Sequence, residues 1–467
     1  MSVFRSRGFA LTGLWFLVTS GACLGQPAIQ TLVTNGPSAN RIHIVFLSEG
    51  YTTNQASRFI EDARNVLGKL FATSPYNEYQ NLFNVSAIFV ASNEPGADHP
   101  WEGKYRDTYF NSTYDSYGID RLLTIPPNNI DSNYSHGEGK VSQLLQELAP
   151  DYDIATLIVN DDAYGGSGGT FPVTSINGSA PEIMIHELGH SFAHLGDEYG
   201  DAYPGFPDVE EPNTTRETNR DLIKWTAWID DATPIPTPQD FENTYEFAVG
   251  LFEGAHYHFT GWYRPKLDCK MRTLGTGFCE VCSEALVLSD YRIIRPVESW
   301  SPASTNLTAF PGQMLGFRVT PVAPQRHSLQ VQWSVDNAPV SGATNLDFTP
   351  PALLAGTIHT VQATVTDPTP LVRNDPRGLL AAKVIWQVTA TEAAAAPRLE
   401  SSRFLADGKF HFTVTGDTGS VFVLESSANL QTWLPILTNS LSSGGYNCDV
   451  TVAPDVSARY YRARLAP

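Results

Sequence analysis

The chain has 467 residues, 42% of them apolar and 17% charged, and its 49 acidic side chains against 30 basic ones give a net charge of -19. That length exceeds one ordinary domain, and the composition is that of a chain able to bury substantial cores. The acidic excess argues against nucleic acid or an anionic membrane as a partner, because phosphate recognition draws on Lys and Arg.

At the N-terminus, Arg5 and Arg7 precede an apolar run from Phe9 to Val18, and small residues follow from Ser20 to Gly25. This is the pattern of a secretory signal, so residues 1–25 are expected to be removed and the mature chain to be secreted, cell-surface or periplasmic. Lipid attachment at Cys23 is the alternative, although Ser20 stands where a lipoprotein signal carries Leu. The run is too short for a membrane span, and no later segment is long and apolar enough for one.

Residues 26–297 read as alternating strands and helices. The nearly continuous apolar run Ile42 to Leu47 suits a strand buried on both faces, with a turn over Ser48 to Tyr51. Phe59, Ala63, Val66, Leu67 and Leu70 then recur at helical spacing. Phe83 to Val90 and Ile154 to Val159 are further predicted strands, and the latter runs into the glycine-rich loop Tyr164 to Gly169. That loop lacks a Gly-Lys-Ser/Thr ending and any basic residue, which argues against a phosphate loop; it reads either as the border of a cleft, where glycines permit close backbone approach, or as a plain flexible turn. Ile183-Met184-Ile185 then opens a buried helix carrying His186-Glu187-Leu188-Gly189-His190.

Further on, Cys269, Cys279 and Cys282 cluster in sequence. A zinc ribbon needs a second close pair of ligands, and only Cys269 lies near Cys279-x-x-Cys282. A disulfide from Cys269 to Cys279 or Cys282 is therefore the expectation for an oxidising compartment, with one thiol left over. After Pro296 the texture changes. Residues 298–391 show short alternating stretches at 315–319, 329–335, 359–366 and 384–389, the pattern of a small immunoglobulin-like β-sandwich. An alanine-rich spacer leads to a C-terminal β domain at 398–467, with strands expected at 410–414, 421–425 and 460–465. Neither β block carries a catalytic constellation.

The chemistry concentrates in the helix. His186 and His190 are four residues apart, so both imidazoles share one helix face about 6 Å apart in rise, a spacing that lets both reach one zinc ion. Glu187 is placed to take a proton from a water at the metal and pass it to the leaving amine. Zinc requires a third protein ligand. Three candidates follow, in the order Asp197, Glu198, His194. Gly196 offers a turn that swings Asp197 back to the metal. His194 lies about 12 Å of helix rise from His186 and serves only if the helix breaks after His190. His, Glu and His on a buried helix are costly without a metal or partners.

The segment from His186 to Tyr199 resembles the core of the IgA-peptidase family of bacterial metallo-endopeptidases. The likeness extends to Val45–Tyr51, Ser92–Asp98 and Tyr164–Gly169 upstream, and to Cys269–Arg272 and Phe278–Cys282 downstream. The resemblance implies a relative of the metzincins, with a third zinc ligand after the helix and a Met-containing turn beneath the metal, a role that Met271 fits. Two positions depart from the metzincin pattern: Ala193 stands at the usual Gly, and the third-ligand position falls on Gly196, with Asp197 one residue later. The C-terminal block resembles terminal β-modules of secreted proteins of environmental bacteria.

The resulting expectation is a multidomain chain: an α/β metzincin-like zinc peptidase domain followed by two small all-β domains that bind a surface or substrate. It would cleave protein or peptide substrates with one zinc ion on His186, His190 and Asp197 and with Glu187 as general base. A binding protein on a peptidase scaffold, and a zinc hydrolase of another amide or ester, are the alternatives.

Overall fold

The computed structural model describes residues 27–126 and 137–466 apart from 241, 243, 312, 393, 444 and 453–457. The secretory-signal region at 1–25 lies outside them. No helix among the described residues is long and apolar enough to cross a membrane.

The N-terminal region is built on a six-stranded mixed sheet of β1 (Ala28–Val33), β2 (Ile42–Glu49), β3 (Phe83–Phe89), β4 (Ile154–Val159), β5 (Gly166–Ser167) and β6 (Val173–Thr174) in the order β1-β3-β2-β4-β6-β5. Its centre is parallel, and β1 and β5 are antiparallel edges. The central strands β2 and β4 are buried along their whole length, as parallel strands covered on both faces must be. Alternation divides their side chains between two cores. Val45, Leu47, Ala155 and Leu157 face a cluster with Val141, Leu144 and Leu145 of helix α3 (Gly137–Leu148). The other face is covered by helix α1 (Ala56–Ala72), whose buried residues are Phe59, Ala63, Val66, Leu67 and Leu70. The short helix α2 (Tyr76–Tyr79) follows it. Helix α4 (Ala180–Ala193) packs against both α1 and α5 (Glu280–Ile293).

The turn expected at Ser48 begins only at Gly50, because β2 runs through Glu49. The Glu49 carboxylate is fully buried and accepts hydrogen bonds from Thr108 Oγ1 and from the backbone N–H groups of Phe110 and Ser112 at 2.5, 2.9 and 2.9 Å. Gly50 sits at φ +68°, and a Cβ there would lie 2.1 Å from the carbonyl oxygen of Gly96. Two motifs far apart in sequence thus meet at a contact only glycine permits.

The compact unit that holds this sheet comprises the described residues up to Ser299 together with Thr320–Gln330 and Val365–Ala382. Inside it, the buried Asp367 accepts hydrogen bonds from Tyr79 and Tyr291 at 2.9 and 2.6 Å, and its other oxygen lies 2.8 Å from His327 Nε2. The second unit contains Trp300–Val319, Val331–Thr364 and Lys383–Pro467 and is all β. One part holds most of the strands Gln330–Val335, Ile358–Thr366 and Ala381–Ala390, which overlap the expected stretches and whose end residues Gln330, Val365, Thr366, Ala381 and Ala382 are counted with the first unit. Trp333 stacks between Phe348 and Trp386 at ring-centroid distances of 4.9 and 5.8 Å. The last part is two three-stranded sheets around Phe412, Val414, Phe422, Leu424 and Leu441.

Candidate metal centre

Helix α4 begins with Pro181 in its first turn, where a missing N–H costs nothing. It ends at Ala193. His194 takes the left-handed conformation at φ 55°, ψ 34°, and the backbone N–H groups of His194 and Leu195 donate to His190 O and Gly189 O at 3.1 and 3.0 Å. Termination therefore falls on His194 and not on Gly196 as expected; His is among the residues that tolerate this region.

The structure brings His186, His190 and Asp197 together. Their converging atoms form a nearly equilateral triangle: His186 Nε2 to His190 Nε2 3.1 Å, His186 Nε2 to Asp197 Oδ1 3.2 Å, His190 Nε2 to Asp197 Oδ1 3.3 Å. Ligands at about 2.0 Å from a tetrahedral ion stand about 3.3 Å apart, so the donor set fits zinc. The tautomers agree. His186 Nδ1 lies 2.9 Å from Lys270 O and His190 Nδ1 2.6 Å from Leu195 O. A carbonyl oxygen only accepts, so each Nδ1 carries the proton and each Nε2 turns a lone pair to the same point. Two lone pairs and a buried carboxylate oxygen facing one point form a donor set that a cation would satisfy. Without one, burial opposes a charge on His190, yet its hydrogen bond to Asp197 prevails and pushes the imidazole up to about 9. Burial likewise opposes the Asp197 charge, but the two imidazoles outweigh it and hold its carboxyl well below the usual range.

Glu187 and the triangle line one cleft of about 380 Å³, with Gly166 to Gly169 on its border. The glycine-rich loop is thus edge strand β5 and the residues after it. A Cβ at Gly168 would sit 2.8 Å from Glu187 Oε2, so glycine there leaves room for the carboxylate. Burial raises the pKa of Glu187, opposed by the neighbouring His186 and His190.

Beneath the helix, Met271 is fully buried. A Cβ added at Gly189 would come within 2.7 Å of its Sδ, so the glycine between the two histidines admits the methionine. The same turn supplies Lys270 O to His186. Lys270 is itself buried, and its ammonium bonds Glu182 in the first turn of α4.

His194 is exposed and stays out of the triangle. Glu198 is fully buried and faces away from it, toward Cys269, Cys279 and Cys282. The expected disulfide is not made. Cys269 and Cys282 Sγ stand 3.6 Å apart and all three cysteines are free, against about 2.05 Å for a sulfur–sulfur bond.

One residue outside the expected ligand and base set joins the site, from the run His256-Tyr257-His258 whose hydroxyl and imidazoles read in sequence as a transition-state donor or as packing groups. Tyr257 donates its hydroxyl to Asp197 Oδ2 at 2.5 Å and lines the cleft. With His256 it forms the two-residue turn of a hairpin, β7 (Phe252–Ala255) and β8 (His258–Arg264), at φ 53° and 56°. Such a turn normally takes Asn-Gly, so two bulky residues store strain. The turn is docked by His256 N–H to Asp197 O and Tyr257 N–H to Tyr199 O at 3.0 and 2.9 Å, bonds that oppose the strain. The His-Tyr-His run at 256–258 was the available signal.

No protein of curated function matches the sequence. Among solved structures, a similar chain is the three N-terminal domains of the bacteriophage RB49 Highly Immunogenic Outer Capsid protein (Hoc), at 11% identity and a TM-score of 0.22, with 36% of this chain and 61% of that chain covered. The family model for IgA Peptidase M64 matches residues 30–248 and 241–289. That range takes in most of β1, all of β2 to β6, helix α4, the hairpin turn and the Met271 turn, and the chain belongs to the IgA Peptidase M64 family of peptidases.

Proposed function

We propose that the chain is a secreted zinc-dependent endopeptidase in which His186, His190 and Asp197 hold one zinc ion and Glu187 is the general base. The observation that carries this reading is the triangle of two imidazole nitrogens and one carboxylate oxygen at 3.1–3.3 Å, with both Nδ1 protons engaged by carbonyls. Family membership supports a peptidase. The N-terminal pattern of Arg5, Arg7 and the apolar run supports export.

When bound, zinc supplies a Lewis acid for the scissile carbonyl and a water of lowered pKa. The chain's own residues do the rest. Glu187, with its pKa raised by burial, takes the proton from the attacking water and returns it to the leaving nitrogen. Lys270 O and Leu195 O hold the imidazoles in the ligating tautomer. Tyr257 fixes Asp197 through its free oxygen. The glycines at 166–169 let an extended substrate backbone approach the cleft wall.

On this reading the catalytic region is metzincin-like and spans 26–297, 298–391 is an immunoglobulin-like sandwich, and 398–467 is a terminal β domain. The two β blocks serve surface attachment or substrate capture. The test is incubation of the purified chain with a denatured protein, with and without chelator. Cleavage that chelator stops and added zinc restores is the expected result. Hydrolysis confined to small esters or amides would make it a zinc hydrolase of another class. No turnover on any substrate would leave a binding protein.

A further inference from the structure

We infer that the chain holds a second metal, a structural zinc ion ligated by Cys269, Cys279, Cys282 and Glu198, on the side of the 197–198 segment opposite the catalytic triangle. The four donors come from three places in the sequence and converge with all ligand atoms within 4.8 Å of one another. All four residues are buried, Glu198, Cys269 and Cys282 completely.

The spacing suits zinc. Bonds of about 2.3 Å to sulfur and 2.0 Å to oxygen in a tetrahedron put two sulfurs about 3.8 Å apart and a sulfur and an oxygen about 3.5 Å apart. Cys269 Sγ to Cys282 Sγ is 3.6 Å, and Cys282 Sγ to Glu198 Oε1 is 3.4 Å. The surroundings are those of thiolates. Cys279 N–H donates to Cys269 Sγ at 3.3 Å, and Cys279 and Cys282 occupy the N-cap and first turn of the 14-residue helix α5, where the helix dipole favours negative sulfur.

Glu198 is the independent sign of a ligand. Its Oε1 accepts from Asn213 Nδ2 at 2.9 Å, while Oε2 is buried with no hydrogen-bond partner among the described residues. A carboxylate with Oε1 against the sulfurs and Oε2 buried without a partner is costly unless a cation neutralises it. A disulfide between two of the cysteines would use neither the third sulfur nor this carboxylate, whereas one zinc ion engages all four.

The ion would tie the Met271 turn, the start of α5 and the segment bearing Asp197 into one body. Asp197 and Glu198 are adjacent, and Glu198 N–H donates to Met271 O at 2.9 Å. The second metal would therefore set where the third ligand of the first one stands.

The decisive experiment is metal analysis of the full chain, purified without added chelator. Two equivalents of zinc per chain are expected. The double variant His186→Ala, His190→Ala should keep one, and when that variant is loaded with cobalt it should show thiolate-to-cobalt charge-transfer absorption. Glu198→Gln and Cys282→Ser should each lose the second equivalent far more readily than wild type. Where Cys282→Ser does not fold, the wild-type chain still decides. Cys269, Cys279 and Cys282 should all be alkylated after denaturation in chelator and none before. A disulfide joining any two of them, or a single equivalent that vanishes with His186 and His190, overturns the inference. A single equivalent that survives loss of both histidines upholds it and instead overturns the proposed catalytic site.

Discussion

Two adjacent acidic residues, Asp197 and Glu198, face opposite ways and end in different donor sets. Asp197 stands 3.2 and 3.3 Å from the two imidazoles, whereas the exposed His194 only caps the helix. Asp197→Ala is therefore expected to lose the catalytic zinc and His194→Ala to keep it, as metal content of the purified variants will show. Equal retention by both would remove Asp197 from the ligand set. Glu187 lines the cleft but is not one of the three converging donors. Glu187→Gln should keep zinc and lose activity by about 10²–10⁴-fold, the usual range for a general acid–base group. Loss of metal from that variant would instead make Glu187 a ligand.

Helix α4 is held from below by the Met271 turn and at its start by charge. In an ordinary helix Gly→Ala gains up to about 1 kcal/mol in propensity. At Gly189 the added carbon would meet Met271 Sδ at 2.7 Å, and overpacking costs about 1–3 kcal/mol. Gly189→Ala should therefore destabilise, read as a lowered Tm, and a raised Tm would show that Met271 yields freely. Glu182 in the first turn is the second anchor. Burial alone would raise its pKa from 4.5, but hydrogen bonds from Lys270 and Lys69 hold it down at about 2. A depressed carboxyl contributes stability above its unfolded pKa and loses it as pH falls toward the folded value. Glu182→Gln should thus lower Tm most above pH 5, and the gap to wild type should close as pH falls from about 4.5 toward 2. A gap independent of pH would mean that its ionisation is not what matters.

At the scale of the whole molecule, the compact unit carrying the site draws in Thr320–Gln330 and Val365–Ala382. Asp367 satisfies Tyr79 and Tyr291, and the backbone N–H of Arg373 donates to Glu284 at 2.6 Å. A chain ending at 297 loses these partners: the buried Tyr79 and Tyr291 hydroxyls lose their acceptor, at about 1–3 kcal/mol each, and Glu284 keeps the Trp228 Nε1 donor but not the Arg373 N–H. Removal of 298–467 should therefore lower Tm markedly, while removal of 398–467 should leave cleavage of a short peptide intact. Equal stability of the two truncations would show that the later segments add nothing to the catalytic unit.

The sequence by itself determined the local elements and the chemistry of one helix. Runs such as Ile42 to Leu47 and the spacing of Phe59, Ala63, Val66, Leu67 and Leu70 report burial directly, because strand and helix periodicities are properties of the neighbouring chain. His186 and His190 share a face for the same reason, and the separated motifs sufficed to suggest the family. What only the tertiary structure decided depends on residues distant in sequence. Asp197 is parted from Glu198 by backbone bonds to the 256–257 turn and to Met271. Tyr257 reaches Asp197 only because two bulky residues accept a strained hairpin turn. Cys279-x-x-Cys282 lacks a second ligand pair along the chain; Cys269 and Glu198 supply it only once α4, the Met271 turn and α5 are packed together. Convergence of this kind is set by the core that joins the elements, and no local period encodes it.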